Sequence, residues 1–153
     1  MKTIGIISDT HKLLRPEALA VLRGADLIIH AGDIGSLEVV EALRTLAPVS
    51  AIRGNIDKAA WADEFPYDDV VKVSGKTIYV LHDVNNLKRD PITAGFDVVI
   101  SGHSHSPKIY YRDNVLYINP GSAGPRRFKL PVAVASLKIH RGKLEANIEE
   151  LSI

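Results

Sequence analysis

The 153-residue sequence predicts an α/β fold in which two β-sheets pack together with helices outside. Two observations carry this. The first third alternates strand and helix, which argues for parallel pairing and right-handed crossovers. The remainder is rich in short apolar runs separated by turn residues, the pattern of further strands. No repeat, low-complexity segment or linker divides the chain, so residues 1–153 are read as one domain.

The apolar run 3–8 reads as a buried strand. Arg15 to Arg23 reads as a helix, with Pro16 near its first position and Gly24 just past its end. Asp26 to Ala31 is the second strand. Ser36 to Leu46 is the clearest helix: Ser36 can cap it, Glu38 suits the positive end of its dipole, and Val39, Val40, Leu43 and Leu46 share an apolar face. Val49 to Arg53 is the third strand. Residues 55–69 read as an irregular loop carrying Trp61, Phe65 and Pro66. Val70–Val73 and Thr77–Leu81 read as strands paired around Ser74-Gly75-Lys76. Asp90-Pro91 opens a short helix that stops at Gly95. Asp97 to Ser101 is another buried strand, and Lys108–Arg112 with Val115–Ile118 forms a hairpin across Asp113-Asn114. Residues 132–139 and 144–151 form a last antiparallel pair through Arg141-Gly142.

Composition narrows the functional classes. The chain is 46% hydrophobic and 24% charged, ordinary for a globular protein. Its net charge of +1 gives no steering toward nucleic acid or membrane, and Arg126-Arg127 with Lys129 is too short for a basic tail. The absence of cysteine excludes disulfides and thiolate zinc sites. No apolar run is long enough to span a bilayer, and the N-terminal one is broken by Asp9, so the default expectation is a cytoplasmic protein. No glycine-rich phosphate loop marks a nucleotide-binding module.

Five short segments carry metal-type ligands: Asp9-Thr10-His11, Gly32-Asp33, Gly54-Asn55-Ile56-Asp57, Leu81-His82 and Gly102-His103-Ser104-His105. Each falls where an apolar strand ends, and ligand sites of open α/β sheets gather there. Side chains two apart on a strand point the same way, so Asp9 with His11, and His103 with His105, can converge if strand geometry persists. Carboxylate, imidazole and amide oxygen suit divalent manganese, iron, zinc or nickel. Singly, Asp33 and Asn55 beside glycines also read as turn residues. His30, inside an apolar strand, reads as a core or supporting histidine, and His140 as exposed. Asp83 and Asp90 read as turn and cap residues. Trp61, Phe65 and Tyr67 can wall a cleft or fill a core. Asn119-Pro120-Gly121-Ser122 is a turn whose backbone donors, or the nearby Arg126, can meet a phosphate.

In combination and order these segments resemble the calcineurin-like metallophosphoesterases, most closely their small single-domain bacterial and archaeal phosphodiesterase branch. The resemblance runs from Ser8-Asp9-Thr10-His11 to Asn119-Pro120-Gly121-Ser122. It implies two mixed β-sheets sandwiched between helices, a four-layer αββα fold, and two divalent ions per chain. Manganese is put first, with nickel, zinc, iron or magnesium as alternatives. By the resemblance, Asp9, His11, Asp33 and His105 hold one ion, and Asp33, Asn55, His82 and His103 the other, with Asp33 bridging. The implied reaction is hydrolysis of a small phosphodiester by in-line attack of a metal-bridging hydroxide, with Asn55, Asp33 and Asp57 as the catalytic set. Two ions bring roughly four positive charges; Asp9, Asp33 and a hydroxide remove three, leaving one unit to match a diester monoanion. Relatives also imply a homo-oligomer, dimer or tetramer.

The sequence departs from the family pattern in two places. Many members carry a histidine directly after the metal-binding asparagine, and this chain has Ile56. Ile56 cannot transfer a proton, so slow turnover and a preference for good leaving groups are expected. Asp57 is expected to fix the loop. Many members also have Gly-His after the ligand histidine, where this chain has Asp83-Val84. The competing reading is a scaffold: a retromer subunit of this fold acts mainly through protein contacts.

Overall fold

The computed structural model describes all residues from Met1 to Ile153. Ten strands form two five-stranded mixed sheets. In the first sheet the order is β10 (Lys143–Glu150), β9 (Ala133–His140), β1 (Lys2–Ile7), β2 (Leu27–His30), β3 (Val49–Ala51). Here β1, β2 and β3 run parallel, and β9 joins the other side of β1 antiparallel. In the second sheet the order is β4 (Asp68–Val73), β5 (Lys76–Leu81), β6 (Val98–Ile100), β8 (Val115–Asn119), β7 (Lys108–Arg112). Strands β5, β6 and β8 are parallel, and both edges are antiparallel.

Alternation along the strands sorts side chains into separate cores. Ile4 and Ile6 of β1 and Ile29 of β2 face Ile78, Val80, Ile100 and Leu116 of the other sheet, forming the filling of the sandwich. Ile7 and Ile28 point the other way, against Ala18 and Leu22 of helix α1 (Pro16–Leu22) and Val39, Val40 and Leu43 of α2 (Leu37–Arg44). On the far face of the second sheet, Tyr79, Leu81, Val99 and Tyr117 pack with Phe96 and with Ala94 of α3 (Pro91–Ala94). The layers are therefore helix, sheet, sheet, helix.

The three tight hairpins turn where expected. Ser74-Gly75, Asp113-Asn114 and Arg141-Gly142 all have positive φ at both residues, the mirror-type turn that suits strand twist. Three local expectations need correction. Ser36 sits at the start of α2 in extended conformation, but its side chain makes no capping bond. The 55–69 segment contains a 3-10 turn, Ala60–Glu64, so it is not wholly irregular. Strand β4 begins two residues earlier than expected, at Asp68. Asp68 is a weak strand former, yet it pairs with Leu81, and its carboxylate takes the Tyr79 hydroxyl at 2.6 Å. Trp61 and Phe65 pack into the helical core, while Tyr67 stays exposed at a cleft. No helix is long and apolar enough to cross a membrane.

Candidate metal centre

The chain leaves β1, β2, β3, β5 and β6 toward one end of the sandwich, and the loops that follow carry all seven candidate ligands. Convergence does not come from continued strand geometry. Strand β1 stops at Ile7 and β6 at Ile100, and Asp9, His11, Asp33, His103 and His105 all adopt left-handed backbone, with φ from 46° to 69°. Left-handed conformation is costly for non-glycine residues and persists where the surroundings enforce it. Asp9 and His11 therefore come together through left-handed loop backbone rather than by alternation, while His103 and His105 do not converge: His105 lies beside His11 and His103 beside His82.

Hydrogen bonds hold these loops. Asp9 is fully buried; its Oδ2 accepts the Ser8 hydroxyl at 2.7 Å and the His103 amide at 3.0 Å. Its Oδ1 is left facing Nε2 of His105, His82 and His11, at 3.4, 3.8 and 3.9 Å. Asp33 Oδ1 accepts the Ile56 amide at 3.1 Å, and Oδ2 lies between His82 Nε2 and His11 Nε2, at 3.2 and 3.6 Å. Asp33 thus touches both sides of the cluster. Asp57, 1% exposed, accepts from the backbone amides of Ile34, Gly35 and Gly54. It ties the Asp33 loop to the Asn55 loop, as a loop-fixing residue should, and its two oxygens are taken up by that task. Glycine is needed where loops touch. A Cβ on Gly102 would strike Ser8 Oγ and Asp9 Oδ2, and one on Gly54 would strike Asp33 Oδ1.

His82 donates from Nδ1 to the Ala31 carbonyl at 2.7 Å, which leaves Nε2 for the carboxylates. Asn55 is exposed at the cleft mouth, and His103 is also peripheral, its ring 5.2 Å from that of His82. Asp9 with His11 and His105, and Asp9 with Asp33 and His82, each bring their ligand atoms within 4.8 Å of one another. Asn55 and His103 belong to neither cluster.

The electrostatics favour a cation. Burial would raise the Asp33 carboxyl, but the His82 side chain and the Ile56 amide overcome it and hold the group at about 2. Burial would lower the His82 imidazole, but Asp33 and Asp9 raise it above its usual value. Among buried side-chain atoms, Asp9 Oδ1, His11 Nε2, Arg53 Nε, His82 Nε2 and His105 Nδ1 have no hydrogen-bond partner. Buried polar atoms are rarely left so, and each costs about 1–3 kcal/mol unless something satisfies it. A divalent ion beside Asp9 Oδ1, His11 Nε2 and His82 Nε2 would satisfy those three, and the donor set suits borderline-to-hard metals.

The sequence matches the calcineurin-like phosphoesterase superfamily domain over residues 1–142. The chain belongs to this family. A probable metallophosphoesterase of Methanothermobacter thermautotrophicus is 36% identical, over 95% of this chain and 90% of that protein. A phosphodiesterase of Methanocaldococcus jannaschii is 30% identical, over 77% of this chain and 82% of that one. Zinc-complexed Vps29 of Entamoeba histolytica is 19% identical and shares the fold, with a TM-score of 0.74 over 97% of this chain and 98% of its own.

The neighbours of the site also fall into place. His30 is fully buried; its Nδ1 accepts the Gly32 amide at 3.1 Å, and Nε2 lies 3.0 Å from Thr10 Oγ1. It is a supporting residue, and burial lowers its pKa to about 4. His140 is exposed. The 119–122 turn spends its donors inside the protein: Gly121 donates to Asn119, and Ser122 Oγ bonds the Asp9 and Pro125 carbonyls. Asn119 in turn donates to the Gly102 carbonyl and Ser104 hydroxyl. This turn buttresses the ligand loops, and its Gly121 amide is spent inside the protein. Sequence reasoning missed the props Ser8, Thr10 and Asn119. The only signal for Ser8 and Thr10 was position beside or between candidate ligands, and Asn119 was legible only as part of a turn.

Proposed function

We propose that this protein is a divalent-metal-dependent phosphodiesterase that hydrolyses a small phosphodiester at a dinuclear centre by in-line attack of water. The carrying observation is the group of orphaned buried atoms on Asp9, His11 and His82, gathered round two buried carboxylates with His105 Nε2 beside them. In this reading Asp9, His11, Asp33 and His105 would hold one ion, and Asp33, Asn55, His82 and His103 the other. Manganese is put first among manganese, nickel, zinc, iron and magnesium. Paired ions supply Lewis acidity and a lowered pKa for bound water.

The chain's own residues do the rest. Asp57 keeps Asp33 and Asn55 in register by gripping both loops. Asn55 lines a cleft of about 700 Å³ that also contains His82, Arg53, Lys58 and Lys88. Substrate would enter there, with Lys58 and Lys88 in the lining to meet its negative charge, Arg53 being paired with Asp63, and with Asn55 presenting a neutral amide to the phosphoryl group. Ile56, half-exposed beside Asn55, offers no proton to the departing alcohol. Similarity to the M. jannaschii phosphodiesterase supports a diester substrate. A metal-binding scaffold of the same fold would satisfy the same carboxylates and imidazoles, so turnover is what separates the two readings.

The test is hydrolysis of bis(p-nitrophenyl) phosphate and p-nitrophenyl phosphate by chelator-treated protein, with each metal restored separately. Metal-dependent cleavage favouring the diester and lost in Asn55→Ala supports the proposal. Binding of two ions without cleavage of either ester by any metal rejects it in favour of the scaffold.

A further inference from the structure

Asp83 stands directly after His82, in the wall shared by two clefts. Its Oδ1 accepts the Asn85 amide at 3.0 Å, capping the 3-10 turn Val84–Asn86 and fixing the carboxylate. Its Oδ2 then lies 3.7 Å from Nε2 of His103, and no other carboxylate comes within ion-pair distance of that ring. A closure of about 1 Å would make this a hydrogen bond. The two imidazoles of this side are thus anchored through opposite nitrogens. His82 is tied by Nδ1 to Ala31, while His103 is faced at Nε2 by Asp83.

We propose that Asp83 is a positioning residue for His103: its carboxylate selects the Nε2–H tautomer, which leaves Nδ1 with its lone pair free for a divalent ion. The proposal rests on the dinuclear reading above. Ligand imidazoles almost always donate their other ring N–H to a carboxylate or carbonyl, and loss of that partner weakens metal binding about 10–100-fold. His82 has such a partner in the Ala31 carbonyl. Asp83 is the group placed to serve His103, a role beyond the turn residue that the sequence suggested. Because Asp83 is bonded to the backbone of its own turn, its oxygen is held in place before any ion arrives.

The experiment is calorimetric zinc titration of the chelator-treated full chain, wild type beside Asp83→Asn, with ring ¹⁵N NMR of the zinc-loaded proteins. Asp83→Asn keeps an oxygen for the Asn85 amide but can turn an N–H toward His103, which selects the wrong tautomer. The expected result is two ions in wild type. In the variant, one should bind unchanged and the other about 10–100-fold more weakly, while the chelated proteins melt together. His103 in wild type should show a protonated Nε2. Two ions bound with equal affinities by wild type and variant would overturn the role of Asp83 alone. So would a protonated Nδ1 on His103 in wild type, which needs no variant. Wild type that takes fewer than two ions would overturn the dinuclear reading and this proposal with it.

Discussion

Replacing His30 with glutamine should remove one defined share of the acid sensitivity of this fold. Thr10 Oγ1 donates its single proton to the Ile34 carbonyl at 2.7 Å, so it must accept from His30 Nε2. His30 Nδ1 accepts from Gly32, so the ring is neutral with its proton on Nε2. Protonating Nδ1 would break the Gly32 bond and place a charge at a fully buried site. Burial is the main cause that takes the pKa from 6.5 to about 4, against the opposing pull of Asp9 and Asp57. The sign follows from proton counts. Between these values the unfolded chain binds the proton and the folded one does not, so wild-type stability falls as pH drops through this window. The gap from 6.5 to about 4 corresponds to roughly 3 kcal/mol. Urea unfolding of chelator-treated wild type and His30→Gln, from pH 7.5 to 4, isolates it, since other groups cancel in the difference. The stability difference between wild type and variant should shift by about 3 kcal/mol against wild type as pH falls. A difference independent of pH would refute the assignment of a neutral, buried His30.

Other predictions concern the loops and the chemistry. Asp57→Ala strands three backbone N–H groups that now share its carboxylate, and should cost about 3 kcal/mol or more in urea unfolding. Metal affinity should fall with it, and an unchanged midpoint would count against the loop-fixing role. Gly102→Ala pushes a methyl into Ser8 and Asp9, so calorimetry should show metal binding weakened at least about tenfold with circular dichroism retained. Ile56→His restores a proton donor beside Asn55. It should raise the rate on a dialkyl phosphodiester, where an alcohol must depart, by about 10²-fold or more, and change bis(p-nitrophenyl) phosphate little. Equal gains on both substrates would mean that the leaving group needs no acid.

Much of the fold was legible because its signals are local. The β1-α1-β2-α2-β3 run carries helix punctuation at Pro16 and Gly24, and strand faces that alternate between Ile6 and Ile7 or Ile28 and Ile29. The hairpins carried turn residues suited to positive φ, Asp113-Asn114 above all. The start of β4 was hidden because pairing and the Tyr79 hydroxyl, not propensity, place Asp68 in a strand. At the candidate metal centre, the segments at strand ends were legible, and five of the candidate ligands cluster, but the way they converge was not. Left-handed backbone at Asp9, His11 and His103 depends on contacts between loops far apart in sequence, such as the His103 amide on Asp9. Asp83 looked like a turn residue because one of its oxygens caps the Val84–Asn86 turn. Its approach to His103 spans a separation that no sequence spacing encodes.

The most direct test of the proposed dinuclear phosphodiesterase activity is a single titration: initial rate of bis(p-nitrophenyl) phosphate cleavage against manganese equivalents added to chelator-treated protein. The account predicts little activity at one equivalent and a rate that climbs to its plateau at two. A plateau reached at one equivalent would contradict the paired site, and a flat line at zero with two ions bound would contradict catalysis.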